Sequence, residues 1–182
     1  MRGLAAAAVV ALLAGCAAVT LAPRDSQPFD LLGRILVTYS GGALTANLRW
    51  VHDSAEDQIW LMTPTGQTLA YIVDSSQGAT LTRADQREYR ASSVEGLTRQ
   101  ALGWSLPLSL LQYWVRGRPA PGAAASALER GADDRLLAFT QNGWHVTITY
   151  YSEGEMSARV RRLDLNDGAN EIRLVIDTWR NG

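Results

Sequence analysis

The sequence predicts a mainly β protein of the α+β class: a strongly curved antiparallel sheet with helices packed across its open side. Three observations carry this. Apolar and polar residues alternate with a period of two over most of the chain. The alternating stretches are joined by short turns rich in Gly, Pro and Asn, which suit antiparallel pairing. The alternation breaks once, at Ser93, where helical spacing takes over before strand signals return. A length of 182 residues suits one domain with a sizeable core.

In chain order, residues 1–15 read as a short secretory signal, with Arg2 as the positive end and Leu4 to Leu13 as the apolar stretch. That stretch is too short to span a bilayer, which takes roughly 20 apolar residues. It runs into Leu13-Ala14-Gly15-Cys16, which matches the bacterial lipobox. Small residues there fit the signal peptidase, and the Cys16 sulfur receives diacylglycerol. Ala17, in place of the Asp that retains lipoproteins in the inner membrane, points to outer-membrane delivery. Residues 16–28, with Pro23 and Pro28, read as a lipidated tether, and residues 29–182 as the single folded domain.

Leu32 to Tyr39 is rich in strand formers, and Gly41-Gly42 makes a tight turn. Leu44, Ala46, Leu48 and Trp50 then alternate with Thr45, Asn47 and Arg49, which predicts a hairpin partner half exposed to water. Gln58 to Met62 is a third strand and Thr63-Pro64-Thr65-Gly66 a turn. Thr68 to Val73 is a fourth strand, with Leu69, Tyr71 and Val73 on one face. Ala79 to Thr82 and Glu88 to Ala91 are shorter strands.

Val94, Leu97, Ala101 and Leu102 mark a helix, and Pro107 to Arg116 a second, with Gly117 as its stop. Leu110, Leu111, Trp114 and Val115 give the second helix a broad apolar stripe. Periodicity leaves two readings open, a helix packed on the sheet or a lid over an apolar cavity. Residues 117–131 read as an exposed loop. Arg135 to Thr140 is a strand, and in the next Trp144, Val146, Ile148 and Tyr150 share one face against His145, Thr147 and Thr149. Arg159 to Leu165, the Asn166-Asp167-Gly168 turn and Glu171 to Trp179 complete the pattern.

Composition excludes several functions. The net charge is -1, so no basic field favours nucleic acid. All seventeen Lys/Arg positions are Arg, so a Walker phosphate loop, Schiff-base chemistry and a Ser-Lys dyad are absent. One Cys permits no internal disulfide, and two His permit no multi-histidine metal site. No Gly-x-Ser-x-Gly elbow is present. His145 faces solvent in the predicted strand, His52 lies at a strand end, and Asp133-Asp134 is a solvated loop pair. Arg34, Arg49 and Arg173 belong on the outward face of the sheet. The residues therefore point to no enzyme, no cofactor and no metal. Six Trp against two Phe fit either a bulky core or the lining of an apolar cavity.

The chain resembles the LolB family of outer-membrane lipoproteins, which receive other lipoproteins from the periplasmic carrier LolA. The matching residues are Gly33-Arg34, Ala46-Asn47-Leu48-Arg49-Trp50 and Pro64-Thr65-Gly66-Gln67-Thr68. Gly103-Trp104-Ser105-Leu106-Pro107-Leu108 leads into Leu111-Gln112-Tyr113-Trp114-Val115-Arg116-Gly117-Arg118-Pro119. Gln141-Asn142-Gly143-Trp144 and Ile172-Arg173-Leu174-Val175-Ile176-Asp177-Thr178-Trp179 follow.

The resemblance implies an incomplete antiparallel barrel whose helices form a lid over an apolar cavity for acyl chains. It implies a LolA-like carrier and acylated cargo as partners, and a lipid-anchored monomer on the periplasmic face of the outer membrane. Strand and helix faces give the expected cavity lining as Leu44, Leu48, Trp50, Leu61, Leu69, Leu110, Trp114, Trp144, Val146 and Ile148. In the family the turn after the third strand carries an exposed apolar residue associated with placing cargo in the membrane. That turn corresponds to Pro64, Thr65 and Gly66, and Thr65 departs from the pattern. A lipid-binding envelope lipoprotein not engaged in transport would share the same cup and anchor.

Overall fold

The computed structural model describes residues 23–181 except 153 and 155–157. The signal segment, Cys16 and Ala17 lie outside the described residues. Among those described, the strands are β1 (Phe29–Tyr39), β2 (Gly42–His52), β3 (Glu56–Met62), β4 (Thr68–Ser75), β5 (Gly78–Arg83) and β6 (Glu88–Ala91). Helices α1 (Val94–Leu102) and α2 (Leu108–Trp114) follow. Then come β7 (Ser126–Arg130), β8 (Leu136–Gln141), β9 (Trp144–Tyr150), β10 (Val160–Asn166) and β11 (Glu171–Asn181).

All eleven strands form one antiparallel sheet in the order β6-β5-β4-β3-β2-β1-β11-β10-β9-β8-β7. Its edges, β6 and β7, do not pair, so the barrel stays open. The topology explains where the helices must go. The chain walks outward from β1 to one edge, crosses through α1 and α2 to the other edge, and walks back until β11 pairs with β1. Here that connection crosses the concave side, since Leu97, Leu108, Leu111 and Trp114 share one buried cluster with the inward strand residues. The core lies there, with Leu31, Ile72, Leu81, Leu97, Trp114, Phe139, Val146, Leu163 and Leu174 shut off from solvent.

Local chemistry sets the helix ends. The Ser93 hydroxyl accepts from the Gly96 amide at 3.3 Å, satisfying one of the free donors at the start of α1. Gly103, at φ 84°, ends α1 in the left-handed conformation that suits Gly. Residues 117–131, expected as a loop, instead contain β7. All its residues are exposed, so no buried face betrays it in the sequence.

The β4 face also differs from expectation. Ala70 and Ile72 point inward, while Tyr71 and Val73 are half-buried on the convex side. Tyr71 stacks on Trp60 there at 5.0 Å, with the Arg49 guanidinium 5.2 Å from the Trp60 ring. Both faces of β4 thus carry apolar side chains, and the larger set lies outside. Arg34, Arg49 and Arg173 lie on the outward face as expected and pair with Asp177, Asp30 and Asp164. The exposed Arg34–Asp177 pair contributes little to stability.

Gly33 sits where β1 shifts register against β11. A Cβ there would lie 2.2 Å from the Val175 carbonyl oxygen, a backbone atom that cannot swing aside. Gly33→Ala is expected to cost about 3 kcal/mol through this overlap. Urea unfolding midpoints of the two proteins measure it, and equal midpoints would mean that the seam can spread.

Candidate functional site

Beneath the helical crossover lies an apolar void. The sheet contributes Ile35 from β1, Leu48 and Trp50 from β2, Ile59 and Leu61 from β3, and Leu174 from β11. The crossover contributes Trp104, Leu106, Leu108 and Leu111. The empty space is about 10 Å³, scarcely enough for one water. Pockets that hold small ligands run to about 300–1,000 Å³. The bowl is therefore shut, and the side chains of the crossover fill it.

Of the residues named for the cavity, Leu48, Trp50 and Leu61 line this void. Trp144, Val146 and Ile148 are buried on the concave side, in the half of the bowl built by β8 and β9, away from the void. Leu44 is half-buried and packed against the core. So is Leu69, the residue skipped where β3 and β4 shift register. Leu110 and Trp114 are buried on another side of α2. Trp114 meets Phe139 edge-on at 6.1 Å, and its indole N–H donates to Gln141 Oε1 at 2.9 Å. Ile35, Ile59, Trp104, Leu106, Leu108, Leu111 and Leu174 were not foreseen as lining. The reason is visible in α2, where Leu108, Leu110, Leu111, Gln112, Tyr113 and Trp114 are all buried. A helix buried on every side has no stripe to tell bowl from flank.

The crossover is held at several points. The elbow between α1 and α2 is tied by the Thr98 hydroxyl, which accepts from the Leu106 amide at 2.9 Å, and by Ser105 Oγ donating to the Glu95 carbonyl at 3.2 Å. Glu95 Oε1 accepts from the Ser109 amide and hydroxyl at 3.1 and 2.8 Å. Past α2, the Gln141 amide grips the backbone of Ala120 through both its oxygen and its nitrogen, at 2.9 and 2.7 Å.

Residues 23–28, read from the sequence as part of the tether, form a strap docked on α2 and on the β2–β3 end of the sheet. Tyr113 Oη donates to the Pro23 carbonyl at 2.6 Å, and the Asp25 amide to Gln112 Oε1 at 2.8 Å. The Asp25 carboxylate meets Arg118 at 2.5 Å and Arg116 at 3.3 Å. Arg116 also donates to the Pro28 carbonyl at 3.0 Å. Arg24 bridges Asp57 and Asp74. Burial pushes the Asp25 carboxyl up, but the Gln27 amide and the Arg118 guanidinium outweigh it and hold it below its ordinary value. Burial pushes Asp74 the other way, up to about 6, with Arg24 opposing and Asp57 adding to the rise. The sequence hid this strap because its anchors are polar residues far apart in the chain.

His52 is wholly buried beneath the strap. One ring nitrogen meets the Asp25 carbonyl at 2.8 Å and the other Asp57 Oδ1 at 2.7 Å. Trp50 Nε1 donates to that same oxygen at 2.6 Å, and Phe29 stacks on the imidazole at 4.8 Å. Both nitrogens are engaged in holding the strap to the sheet. His145 is exposed on β9, as expected.

The turn between β3 and β4 projects with Pro64, Thr65 and Gly66 exposed. It is closed by internal bonds: Thr63 Oγ1 lies 2.8 Å from Thr65 Oγ1 and accepts from the Gln67 amide at 3.0 Å. Its tip is polar. Among the described residues the exposed large apolar side chains are Leu128 and Leu137, at the β7 edge.

The family model for the outer membrane lipoprotein LolB matches residues 27–179. An outer-membrane lipoprotein LolB of Thiobacillus denitrificans is 38% identical over 188 residues, spanning 100% of this chain and 99% of the relative. One of Ralstonia nicotianae is 38% identical over 191 residues, 92% of this chain and 91% of the relative. In fold, the chain is similar to the crystal structure of a LolA superfamily protein from Nitrosomonas europaea, with a TM-score of 0.53 at 7% identity over 88% of this chain and 89% of that one.

Proposed function

The chain belongs to the LolB family of outer-membrane lipoproteins, and from that premise we propose how its bowl and lid serve a receptor. The protein takes acylated lipoproteins from a LolA-type periplasmic carrier and passes them into the outer membrane without nucleotide hydrolysis. It does so while held at the periplasmic face of that membrane by lipid on Cys16.

The observation that carries this reading is the hydrocarbon contact between crossover and bowl. Exposing one acyl chain of some 16 carbons to water costs roughly 12 kcal/mol, at about 0.8 kcal/mol per CH2. Cargo must therefore pass from one apolar enclosure to another. Trp104, Leu106, Leu108 and Leu111 cover the sheet residues that acyl chains would cover in the loaded protein. Displacing the lid trades apolar contact for apolar contact, so what opposes opening is chiefly the polar ties of the strap and the elbow. Closure lowers the apparent affinity by the fraction of time the bowl is shut. That keeps binding weak enough for the membrane to win the cargo in the last step. Of the other expected cavity residues, Leu110 and Trp114 move with the lid, Trp144, Val146 and Ile148 line the β8–β9 half of the bowl from which it lifts, and Leu44 and Leu69 pack at the margin of the core.

Mixing the purified protein with carrier-loaded lipoprotein in the absence of ATP tests this. Cargo should move to the protein and then to added vesicles. Cargo that stays on the carrier while the receptor is folded overturns the reading, and uptake of free lipid alone would place the protein outside transport.

The turn at Pro64, Thr65 and Gly66 is the proposed point of contact with the bilayer. Thr65→Leu would add an apolar side chain whose burial is worth about 1.5–3 kcal/mol. Release of bound cargo into vesicles should speed up severalfold, read by cargo flotation with the vesicles. An unchanged rate means that this turn does not enter the membrane.

A further inference from the structure

We propose that Trp104 recognises the head end of a bound acyl chain, its indole Nε1–H donating a hydrogen bond to the ester or amide carbonyl oxygen there. This rests on the receptor reading above and names the polar group for which that site selects.

Trp104 lies in the elbow between α1 and α2, is 2% exposed, and lines the void. Its Nε1 is buried with no hydrogen-bond partner. The chain gives other indoles an acceptor: Trp50 has Asp57 at 2.6 Å, Trp114 has Gln141 at 2.9 Å, and Trp179 has the Val160 carbonyl at 3.1 Å. The elbow itself is fully tied through Thr98, Ser105 and Glu95, so the orphan donor is not a sign of loose packing around it. A buried donor without an acceptor costs about 1–3 kcal/mol. The other void-lining side chains are aliphatic, apart from Trp50, whose nitrogen is already bonded. The protein offers the Trp104 donor nothing, whereas an acylated ligand brings a carbonyl.

Placement agrees. The elbow packs by Tyr39, since a Cβ added at Gly103 would come within 3.3 Å of the Tyr39 ring. Tyr39 ends β1 at the rim where β2 begins, the same rim from which the Thr63–Gln67 turn projects. A chain with its carbonyl at Trp104 extends its tail toward Ile59 and Trp50, and leaves the polar cargo at that rim.

The test compares methyl laurate with tridecane, ligands of similar length with and without a carbonyl. Each displaces bound N-phenylnaphthylamine from the chain carrying Cys16→Ala, which changes no described residue. The protein should prefer the ester by about tenfold, and Trp104→Phe, which keeps a ring and removes the donor, should abolish the preference. In the unsubstituted indole, the Trp104 N–H resonance should move downfield with the ester and stay put with the alkane, a readout that needs no variant to fold. A preference that survives in Trp104→Phe, equal affinities in the parent, or an unmoved resonance each overturns the proposal. Failure of both ligands to displace the probe, together with no cargo transfer from the carrier, overturns the receptor reading itself.

Discussion

A protein whose strap is covalently joined to α2 is expected to take up cargo at least about tenfold more slowly than its unlinked parent. The variant is Pro23→Cys with Tyr113→Cys, in a Cys16→Ala background, bridged by a short reducible thiol reagent. The two positions are neighbours, since Tyr113 Oη reaches the Pro23 carbonyl at 2.6 Å. The void of about 10 Å³ admits no acyl chain, so uptake requires α2 to lift. Lifting it means parting Gln112, Arg116 and Arg118 from Asp25 and Pro28 as well as separating hydrocarbon faces. Transfer from loaded carrier measures the rate, and reduction of the linker should restore it. Full-speed uptake by the linked protein would show that α2 stays in place and cargo enters elsewhere.

Leu48→Glu is expected to abolish cargo retention, by roughly a hundredfold or more in affinity, or about 2.7 kcal/mol. Leu48 is 5% exposed and faces the void from the centre of β2. A carboxylate there must either hold water in the bowl or give up its charge, and both oppose an acyl chain. The same charge opposes lid closure, so Leu48→Ala serves as the companion variant. It removes buried methyls at a cost of about 2–5 kcal/mol in stability, while leaving the bowl apolar and cargo binding within a few-fold of the parent. Co-purification with cargo, alongside circular dichroism, reads both. A folded Leu48→Glu protein that still holds cargo removes this region from the binding site.

Much of the fold was legible from the chain. The alternation through Leu44, Ala46, Leu48 and Trp50 fixed the inward face of β2, and Ser93 and Gly117 bracketed the helical crossover correctly. Legibility failed where one pattern served two environments. Tyr71 and Val73 look like a core face because the convex side of the sheet carries its own aromatic layer. In α2, Leu108 and Leu111 face the void while Leu110 and Trp114 do not, and all four are equally apolar. The strap was invisible for a different reason. Asp25, His52, Asp57, Arg116 and Arg118 are ordinary polar residues until the fold brings them together, and no local spacing announces such a meeting.

The crossover is attached to the sheet at both ends, but unequally. On one side only Ser92 and Ser93 separate β6 from α1, whereas residues 115–125 separate α2 from β7. On the proposed receptor reading the helical pair is thus a door hung on a tight hinge at β6, with slack at the opposite jamb. Gln141, clasping Ala120 and Ala123, is the catch on that jamb, set where the swing is widest and leverage on it greatest.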